Sequence, residues 1–226
     1  MGDTSRPSSR REIGRRFSLA SDSYRRWALP QRAAARRLVE LFGKFVGGSS
    51  VLEAGAGVGL LSELLEPLVG RLFVCDLVKE VLEKNPAARA RRAFVCNMEN
   101  LPLKDRSVDW TASSFALHWS DYRRSLAEFA RVSKKGFFAA VPVEGSLEGL
   151  GFPFPSAGEI LELVRPTLWR LEEVDVPFRG REFLLFFKKT GTGYNPTPAL
   201  SAFEILKDPS KVRFYGFKVL YFLKEL

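Results

Sequence analysis

The chain has 226 residues, of which 46% are hydrophobic and 27% charged, and its formal net charge at pH 7 is +9. This length and composition suit one domain with a sizeable core, and they exclude a disordered or fibrous protein. No run approaches eighteen uncharged apolar residues, and no apolar signal region follows the arginine-rich N-terminal segment, so we expect neither a membrane span nor a secretory signal. The two cysteines, Cys75 and Cys96, form no metal-binding or redox spacing. We therefore expect a cytoplasmic protein without a metal site.

The positive charge is concentrated near the N-terminus. Ten arginines fall between Arg6 and Arg37. A basic surface favours acidic partners such as nucleic acid, anionic lipid or an acidic carrier protein. The alternative is a solvated, arginine-rich helix face that forms ion pairs. The sequence leaves both interpretations open.

The first predicted elements are helical. Residues 1–12 are polar and basic, and we expect them to be frayed. From Phe17 to Phe42 the apolar spacing is that of helices, interrupted by Pro30. Proline is well tolerated in the first turn of a helix, so we predict two helices, the second from about Pro30 to Phe42.

The chain then alternates between short apolar runs and helical patterns. We predict strands at residues 50–54, 71–76, 93–97, 108–113 and 136–143, and helices at residues 60–68, 78–85 and 121–133. This order indicates a parallel sheet with helices on both faces.

After Glu144 the pattern changes to a segment rich in glycine and proline, which we predict to be a loop over the sheet. Ser156 followed by Glu159 is typical of a capping box at a helix start. Two more strands are predicted at residues 169–176 and 211–222, whereas residues 182–189 fit either a strand or a helix. There is no internal repeat, so we expect a single domain over residues 1–226.

A glycine cluster marks the candidate binding site. Gly55, Gly57 and Gly59 lie between the first predicted strand and the helix that follows it. A turn of this kind lets a ligand approach the backbone closely, beside the positive end of the helix dipole. Asp76 ends the second strand, 23 residues after Glu53, where an acidic residue is placed to hold two ribose hydroxyls.

Two ligands fit such a site, and charge distinguishes them. A dinucleotide brings a pyrophosphate, which the carboxylate of Glu53, two residues before the first glycine, would repel. S-adenosylmethionine carries a sulfonium and an ammonium and has no phosphate. The electrostatics therefore favour the methyl donor over NAD.

The phrases VLEAGAGVG, LFVCD and NMENLP together resemble the class I S-adenosylmethionine-dependent methyltransferases. The resemblance implies a doubly wound, mostly parallel, seven-stranded α/β sheet of Rossmann-like type with N-terminal helices and a short lid. It implies S-adenosyl-L-methionine as the methyl donor and S-adenosyl-L-homocysteine as the product. By this resemblance the donor site comprises Glu53, Gly55, Ala56, Gly57, Gly59, Asp76, Leu77, Asn97, Met98, Glu99, Ser113 and Phe115. The family often has Asp where Asn97 stands, a mild departure because an amide carbonyl still accepts a hydrogen bond.

A finer resemblance extends from about residue 17 to residue 222. The phrases SSFALHWSDYRRSLAEFARVSKKG, VPVEGSLEGL and FKKTGTGYNP are similar to segments of the malonyl-acyl-carrier-protein O-methyltransferases, which act in pimelate synthesis for biotin. Arg25 stands where that family has Asp, and His118 where it has Gln. The segment after Leu147 is shorter than the family's, which leaves the lid, residues 144–165, and the acyl specificity in doubt.

The resemblance implies a carboxylate as methyl acceptor and an acidic acyl carrier protein as partner. A carboxylate is already ionised at pH 7, so the enzyme supplies proximity, orientation and a dry site rather than a base. We therefore assign no catalytic residue, and treat Tyr24, His118 and Trp119 as candidates for positioning the reactants. We expect a monomer that binds neither membrane nor nucleic acid stably. The resembled fold also places the strands of Cys75 and Cys96 side by side, and we expect the two cysteines to be buried free thiols under the donor site.

Three alternatives remain open. Another small-molecule methyltransferase, such as a quinone C-methyltransferase, would use the same donor motifs. An RNA methyltransferase would suit the positive charge, but Ser113-Ser114-Phe115 stands where base-amino methylation uses an Asn/Asp-Pro-Pro-aromatic motif. A non-catalytic protein that keeps the fold as a scaffold is disfavoured by the intact glycine cluster and Asp76.

Overall fold

The computed structural model describes residues 7–89, 92–195 and 198–226. Its strands are β1 Ser50–Ala54, β2 Arg71–Asp76, β3 Ala93–Val95, β4 Val108–Ser114, β5 Ser133–Val143, β6 Leu168–Asp175 and β7 Gly216–Glu225. Its helices are α1 Pro7–Ala20, α2 Tyr24–Trp27, α3 Leu29–Phe42, α4 Ser62–Leu65, α5 Lys79–Leu82, α6 Pro86–Arg89, α7 Tyr122–Val132, α8 Ala157–Val164, α9 Gly180–Thr190 and α10 Ala202–Lys207.

The seven strands form one sheet in the order β3-β2-β1-β4-β5-β7-β6. The strands from β3 to β5 pair in parallel, and β7 runs antiparallel to both of its neighbours. Helices cover both faces, so β1 and most of β5 are buried on both sides and read in sequence as nearly continuous apolar runs. The predicted α/β class with a doubly wound, mostly parallel sheet is confirmed.

The sheet separates two apolar cores. On one face α3 contributes Leu38 and Phe42, which belong to the same buried cluster as Trp110 and Phe138 of the sheet. On the other face α7 contributes Phe129, next to Phe137 of β5, with ring centroids 6.3 Å apart. Packing on both sides fixes the parallel strands, and their carboxyl ends therefore meet at one edge of the sheet.

The N-terminal region is more ordered than the sequence indicated. Residues 7–12, expected to be frayed, belong to α1, and the predicted fraying of residues 1–6 lies outside the described residues. The region also contains the extra short helix α2 before α3. The helix predicted over residues 60–68 is reduced to α4, because Pro67 has no N–H to continue it.

Two other local predictions differ from the structure. Ser156 precedes α8 but makes no side-chain capping hydrogen bond. The Glu159 carboxylate accepts from the Tyr122 hydroxyl at 2.7 Å, and no capping box forms here. A complete capping box is found at Ser201 and Glu204. Residues 182–189, which fitted either a strand or a helix, belong to the helix α9. The last strand begins at Gly216, where pairing with β6 starts, rather than near residue 211.

The two cysteines lie side by side, as expected from neighbouring parallel strands. Their Cα atoms are 5.8 Å apart. The sequence favoured two buried free thiols, and this expectation is wrong: Cys75 and Cys96 are joined as a disulfide. The bond links the end of β2 to the residue directly after β3.

None of the helices in the described part of the chain is long and apolar enough to cross a membrane.

Candidate active site

A cleft lies at the carboxyl ends of β1, β2 and β4. Most of the residues assigned to the donor by resemblance line it. These are Glu53, Gly55, Ala56, Gly57, Asp76, Leu77, Asn97, Met98, Glu99 and Phe115. Tyr24 and Trp119, two of the three positioning candidates, also line this cleft.

Asp76 connects the two loops that form the floor of the cleft. Its Oδ2 accepts from the backbone N–H of Gly57 at 2.8 Å, and its Oδ1 accepts from that of Val78 at 2.9 Å. Burial raises the pKa of Asp76, while these backbone hydrogen bonds lower it. Each carboxylate oxygen still has a second acceptor position for a ligand hydroxyl.

Glu53 is a buried carboxyl group, 2% exposed, within a chain of polar side chains. It accepts from the hydroxyl of Ser62 at 2.5 Å, and Ser62 in turn accepts from the Asn85 amide at 2.9 Å. Burial raises the pKa of Glu53 to about 8, and the nearby charge of Asp76 adds to the shift. A cationic ligand beside Glu53 would favour its ionised form.

Two of the three glycines in the cluster are required by close packing within the protein. A Cβ at Gly55, where φ is +72°, would lie 2.3 Å from the Ala116 Cβ, and a Cβ at Gly59 would lie 2.9 Å from the Asn85 side chain. A Cβ at Gly57, where φ is +51°, would meet nothing within 4 Å. Gly57 is thus the position where the turn borders open space in the cleft.

The segment after β3 closes the far side of the cleft through short-range hydrogen bonds. Asn97 Oδ1 accepts from the N–H of Glu99 at 3.0 Å, and Glu99 Oε1 accepts from the N–H of Asp121 at 3.0 Å. These contacts hold the polar residues predicted to border the adenine edge.

Three of the predicted residues do not line this cleft. Gly59 packs against Asn85 behind the floor, and Ser113 donates to the Ala54 carbonyl at 2.9 Å within the sheet. Ser114, one residue later, lines the cleft instead, and His118 belongs to the adjoining chamber. Because the sequence pattern locates a strand end only to within a residue or two, it did not separate Ser113 from Ser114.

The N-terminal helix α1 forms one wall of the cleft through Ile13, Gly14 and Phe17. The Phe17 ring lies 5.7 Å from that of Trp119 in an edge-to-face arrangement, and 6.2 Å from that of Tyr24. The sequence did not predict this wall, since residues 1–12 were expected to be frayed and helical spacing was recognised only from Phe17 onward.

A second, smaller chamber adjoins the cleft. Its walls are mainly aromatic: Tyr24, Gln31, Phe115, His118, Trp119, Leu147, Phe152, Phe154, Phe187, Thr192 and Phe217. None of these described lining residues is a lysine, arginine, aspartate, glutamate or cysteine. Four of them, Tyr24, Gln31, Phe115 and Trp119, line the donor cleft as well and form the junction between the two spaces.

His118 is enclosed by aromatic rings of this chamber. Its ring centroid lies 4.8 Å from Trp119, 5.6 Å from Phe154 and 6.2 Å from Phe115. Burial lowers the pKa of His118 to about 3, so the imidazole is neutral at pH 7. Its Nδ1 is buried and makes no hydrogen bond to the described residues.

Two chamber residues adopt left-handed backbone conformations that bulky side chains rarely take. Phe115 has φ +55° and Leu147 has φ +50°. Such conformations persist only where the surrounding structure enforces them, and they cluster at functional sites. The N–H of Phe115 donates to the Ala140 carbonyl at 2.9 Å, which helps to hold its ring at the junction.

The glycine- and proline-rich segment predicted to be a loop supplies Phe152 and Phe154 to the chamber. Its ends meet where the N–H of Glu144 donates to the Pro155 carbonyl at 3.0 Å, and Leu147 donates from its N–H to the Gly216 carbonyl at 2.7 Å. The lid region, residues 144–165, thus consists of a short loop fastened to β7 and the helix α8.

The comparisons with known proteins agree with this architecture. Residues 52–140 match the methyltransferase domain family. The YcgJ protein of Bacillus subtilis has the same fold, with a TM-score of 0.58 and 20% identity over 83% of this chain and 96% of that protein. Residues 52–140 therefore match a methyltransferase domain, within a fold that the chain shares with YcgJ.

Two curated relatives of this domain carry the name malonyl-[acyl-carrier protein] O-methyltransferase. The protein of Yersinia pestis is 36% identical over 62% of this chain and 53% of its own length. The protein of Hamiltonella defensa is 34% identical over 55% of this chain and 48% of its own length. The chain thus spans about half the length of the curated relatives it matches.

Proposed function

We propose that this chain transfers the methyl group of S-adenosyl-L-methionine to the free carboxylate of a malonyl group carried by an acyl carrier protein, a step of biotin synthesis. The names of its relatives support the substrate. The structural observation that carries the proposal is a polar donor cleft joined directly to an aromatic chamber that contains no general base.

The cleft residues fit the donor. Glu53 would face the ammonium group, Asp76 the ribose hydroxyls, Leu77 the adenine ring and Asn97 its edge. The carboxyl groups of Glu53 and Asp76 suit a cationic ligand, and the open side of Gly57 leaves room for it. When bound, S-adenosylmethionine supplies a methyl group on a positively charged sulfur, and its transfer to a carboxylate leaves an ester and a neutral thioether.

The chamber suits an acceptor that needs no deprotonation. Because the charges of nucleophile and sulfonium cancel as the methyl group moves, a site that excludes water lowers the barrier to transfer. His118, with a pKa of about 3, is already neutral but too weak a base at pH 7 to deprotonate a hydroxyl or an ammonium. Its part would be packing and positioning, together with Tyr24 and Trp119.

The alternative of a quinone C-methyltransferase draws support from the same aromatic walls. An activated ring must, however, lose a proton when its carbon is methylated, and the described chamber residues offer no group placed to take it. A carboxylate acceptor therefore fits the chamber better.

The proposed carrier partner is acidic, and two exposed arginines of the N-terminal helices offer it free positive charge. Arg25 forms an ion pair with Glu63, and Arg32 donates a hydrogen bond to the Arg25 carbonyl at 2.8 Å. Both side chains are therefore used in contacts within the protein. Arg26 and Arg36 are exposed and form no ion pair with the described residues. We propose that these two cations steer the carrier protein toward the enzyme. We also propose that the enzyme is a monomer without stable nucleic-acid or membrane partners.

The proposal is tested by incubating the enzyme with methyl-labelled donor and with malonyl, succinyl or glutaryl carrier protein, and with RNA as a control. We expect a base-labile labelled ester on malonyl carrier protein. Label in RNA, or label that resists ester hydrolysis, would contradict it.

A further inference from the structure

The disulfide lies at the wall of the donor cleft. Cys96 lines the cleft and is 8% exposed, whereas Cys75 is completely buried. Each cysteine directly precedes a polar residue of the cleft, Asp76 or Asn97. The bond therefore joins the two chain segments that carry the proposed ribose and adenine contacts.

The backbone around the disulfide is hydrogen-bonded to the same loops. The Cys75 carbonyl accepts from the N–H groups of Gly55 and Ala56, at 2.9 and 3.0 Å. The Cys96 N–H donates to the Asp76 carbonyl at 2.9 Å. A displacement of Cys75 would therefore move the glycine turn, and a displacement of Cys96 would move the adenine side of the cleft.

The sheet holds these two segments unequally. The interior strand β2 pairs with both β1 and β3. The strand β3 has three residues and lies at the edge of the sheet, and its Val95 is 52% exposed. Because a short, exposed edge strand opens easily, the segment after β3 depends more on the disulfide than the end of β2 does.

We propose that Cys75 and Cys96 form a redox switch of the donor cleft, in which the disulfide form binds S-adenosylmethionine and the dithiol form binds it more weakly. This inference rests on the proposed donor site and adds regulation of that site by thiol–disulfide exchange. With both thiols free, the segment after β3 gains conformational freedom. Donor binding must then restore its order, at a cost in free energy.

The exchange needs only a dithiol as reductant. One thiolate of the dithiol enters the empty cleft and attacks the sulfur of Cys96, the more accessible of the two, and Cys75 leaves as a thiolate. The second thiol of the reductant then displaces Cys96. The protein gains two electrons and two protons, and the reductant becomes a cyclic disulfide. Oxidation of the protein runs through the same steps in reverse.

Bound donor should oppose this reduction. Cys96 lies on the side of the cleft that the adenine would cover, so a bound donor restricts the access of the reductant. Linkage sets the size of the equilibrium effect: if reduction weakens donor binding by a given factor, the donor stabilises the disulfide by the same factor. A disulfide that only supports the fold would show no such coupling.

The wild-type protein tests the switch without any substitution. Thiol titration of the protein, unfolded without reductant, should find no free thiol, and two free thiols would contradict the inference. Calorimetry with S-adenosylhomocysteine then compares the oxidised protein with protein reduced by dithiothreitol. We expect binding to be about tenfold weaker after reduction, because the loop closed by the bond is released, and to recover after reoxidation.

The coupling is measured in dithiothreitol redox buffers. With saturating S-adenosylhomocysteine, the ratio of reduced to oxidised dithiothreitol at half reduction should rise about tenfold, which lowers the midpoint potential by about 30 mV. An unchanged midpoint would contradict the inference.

A double variant separates the effect of the bond from that of the reagent. Cys75→Ala/Cys96→Ala keeps both positions small and apolar, and we expect it to bind S-adenosylhomocysteine as weakly as the reduced wild type, without a response to dithiothreitol. Thr111→Val, which removes a buried hydrogen bond to Ser133 within the sheet, is the stability control and should keep the redox response. If the double variant does not fold, the redox titration of the wild type decides.

The outcomes separate this inference from the proposed function. If methyl ester forms but the oxidised and reduced proteins bind S-adenosylhomocysteine equally, the inference is wrong and the function stands. If binding follows the redox state but malonyl carrier protein gives no ester, the switch stands and the proposed reaction is wrong. If neither form binds S-adenosylhomocysteine, both are wrong.

Discussion

The donor cleft and the aromatic chamber share four residues but differ in chemistry. The cleft is built from backbone loops held by carboxyl groups, with Asp76 bridging Gly57 and Val78 and with Glu53 held by Ser62. The chamber is built from rings that come from distant parts of the chain, among them Phe115, Phe154 and Phe217. The contrast indicates that one space binds through charge and hydrogen bonds, and the other through shape and exclusion of water.

We expect the largest effect on donor binding when the Asp76 carboxylate is removed. Asp76→Ala should weaken donor binding by about 10² to 10⁴-fold, because two charge-assisted hydrogen bonds to the ribose, each of roughly 1.5–3 kcal/mol, are lost. Calorimetry with S-adenosylhomocysteine measures the change. Asp175→Ala, which removes an exposed carboxylate paired with Arg179, is the control and should change nothing. Unchanged affinity in Asp76→Ala would show that the donor lies elsewhere.

A substitution confined to the chamber should weaken acceptor binding and leave donor binding unchanged. Phe154→Ala removes a ring that lines the chamber but not the cleft, and we expect the KM for the acceptor to rise about tenfold, corresponding to about 1.4 kcal/mol. Donor affinity should be unaltered, because no cleft contact is lost. Phe203→Ala, on the exposed face of α10, is the matched control. Equal loss of donor and acceptor binding would mean that the two spaces act as one.

The titration of Glu53 should make donor binding in the cleft depend on pH. Its pKa in the folded protein, about 8, lies above the ordinary value of 4.5, so without donor its contribution to stability is complete below pH 4.5 and is lost as pH rises through 8. A cationic donor prefers the ionised form, so at pH 7 its binding should release up to about one proton, and affinity should rise between pH 6 and 8.

Calorimetry in buffers of different ionisation enthalpy measures this proton release. In Glu53→Gln the release and the rise in affinity between pH 6 and 8 should both disappear. Proton release that persists in the variant would assign the titration to another group.

The smallest expected effect concerns the surface outside both spaces. Reversing Arg26 and Arg36 to glutamate should raise the KM for carrier protein a few fold and reduce its salt dependence between 0.05 and 0.3 M, because screening acts on long-range attraction. A malonyl thioester without carrier provides the comparison. If both substrates respond equally, the arginines do not steer the carrier.

Much of the donor cleft could be predicted from the sequence, because it is local in the chain. Glu53 and Asp76 lie at the carboxyl ends of β1 and β2, and the glycine turn follows β1. The apolar runs of these strands are easy to recognise, and parallel pairing brings their ends together. The chamber was not predicted, since Phe152 and Phe217 belong to none of the phrases that carry the resemblance and Phe187 was noted only as the first residue of FKKTGTGYNP. These rings come together only through packing. The glycines and prolines of the aromatic GFPFP segment indicated only a loop.

The remaining errors arose from context that local patterns do not contain. Ser156 and Glu159 have the spacing of a capping box, but Tyr122 reaches Glu159 from another helix. The pairing of Cys75 with Cys96 depends on the side-chain direction at two strand ends, which spacing does not fix.

We propose that methyl transfer at the junction needs no general base, a claim that the pH profile of kcat in His118→Gln puts to the test. At saturating donor and malonyl acceptor, we expect kcat to stay within about threefold of the wild type and to show the same flat profile from pH 6 to 9. A loss of 10²-fold or more, the range for removal of a general base, with a change in profile, would contradict the claim.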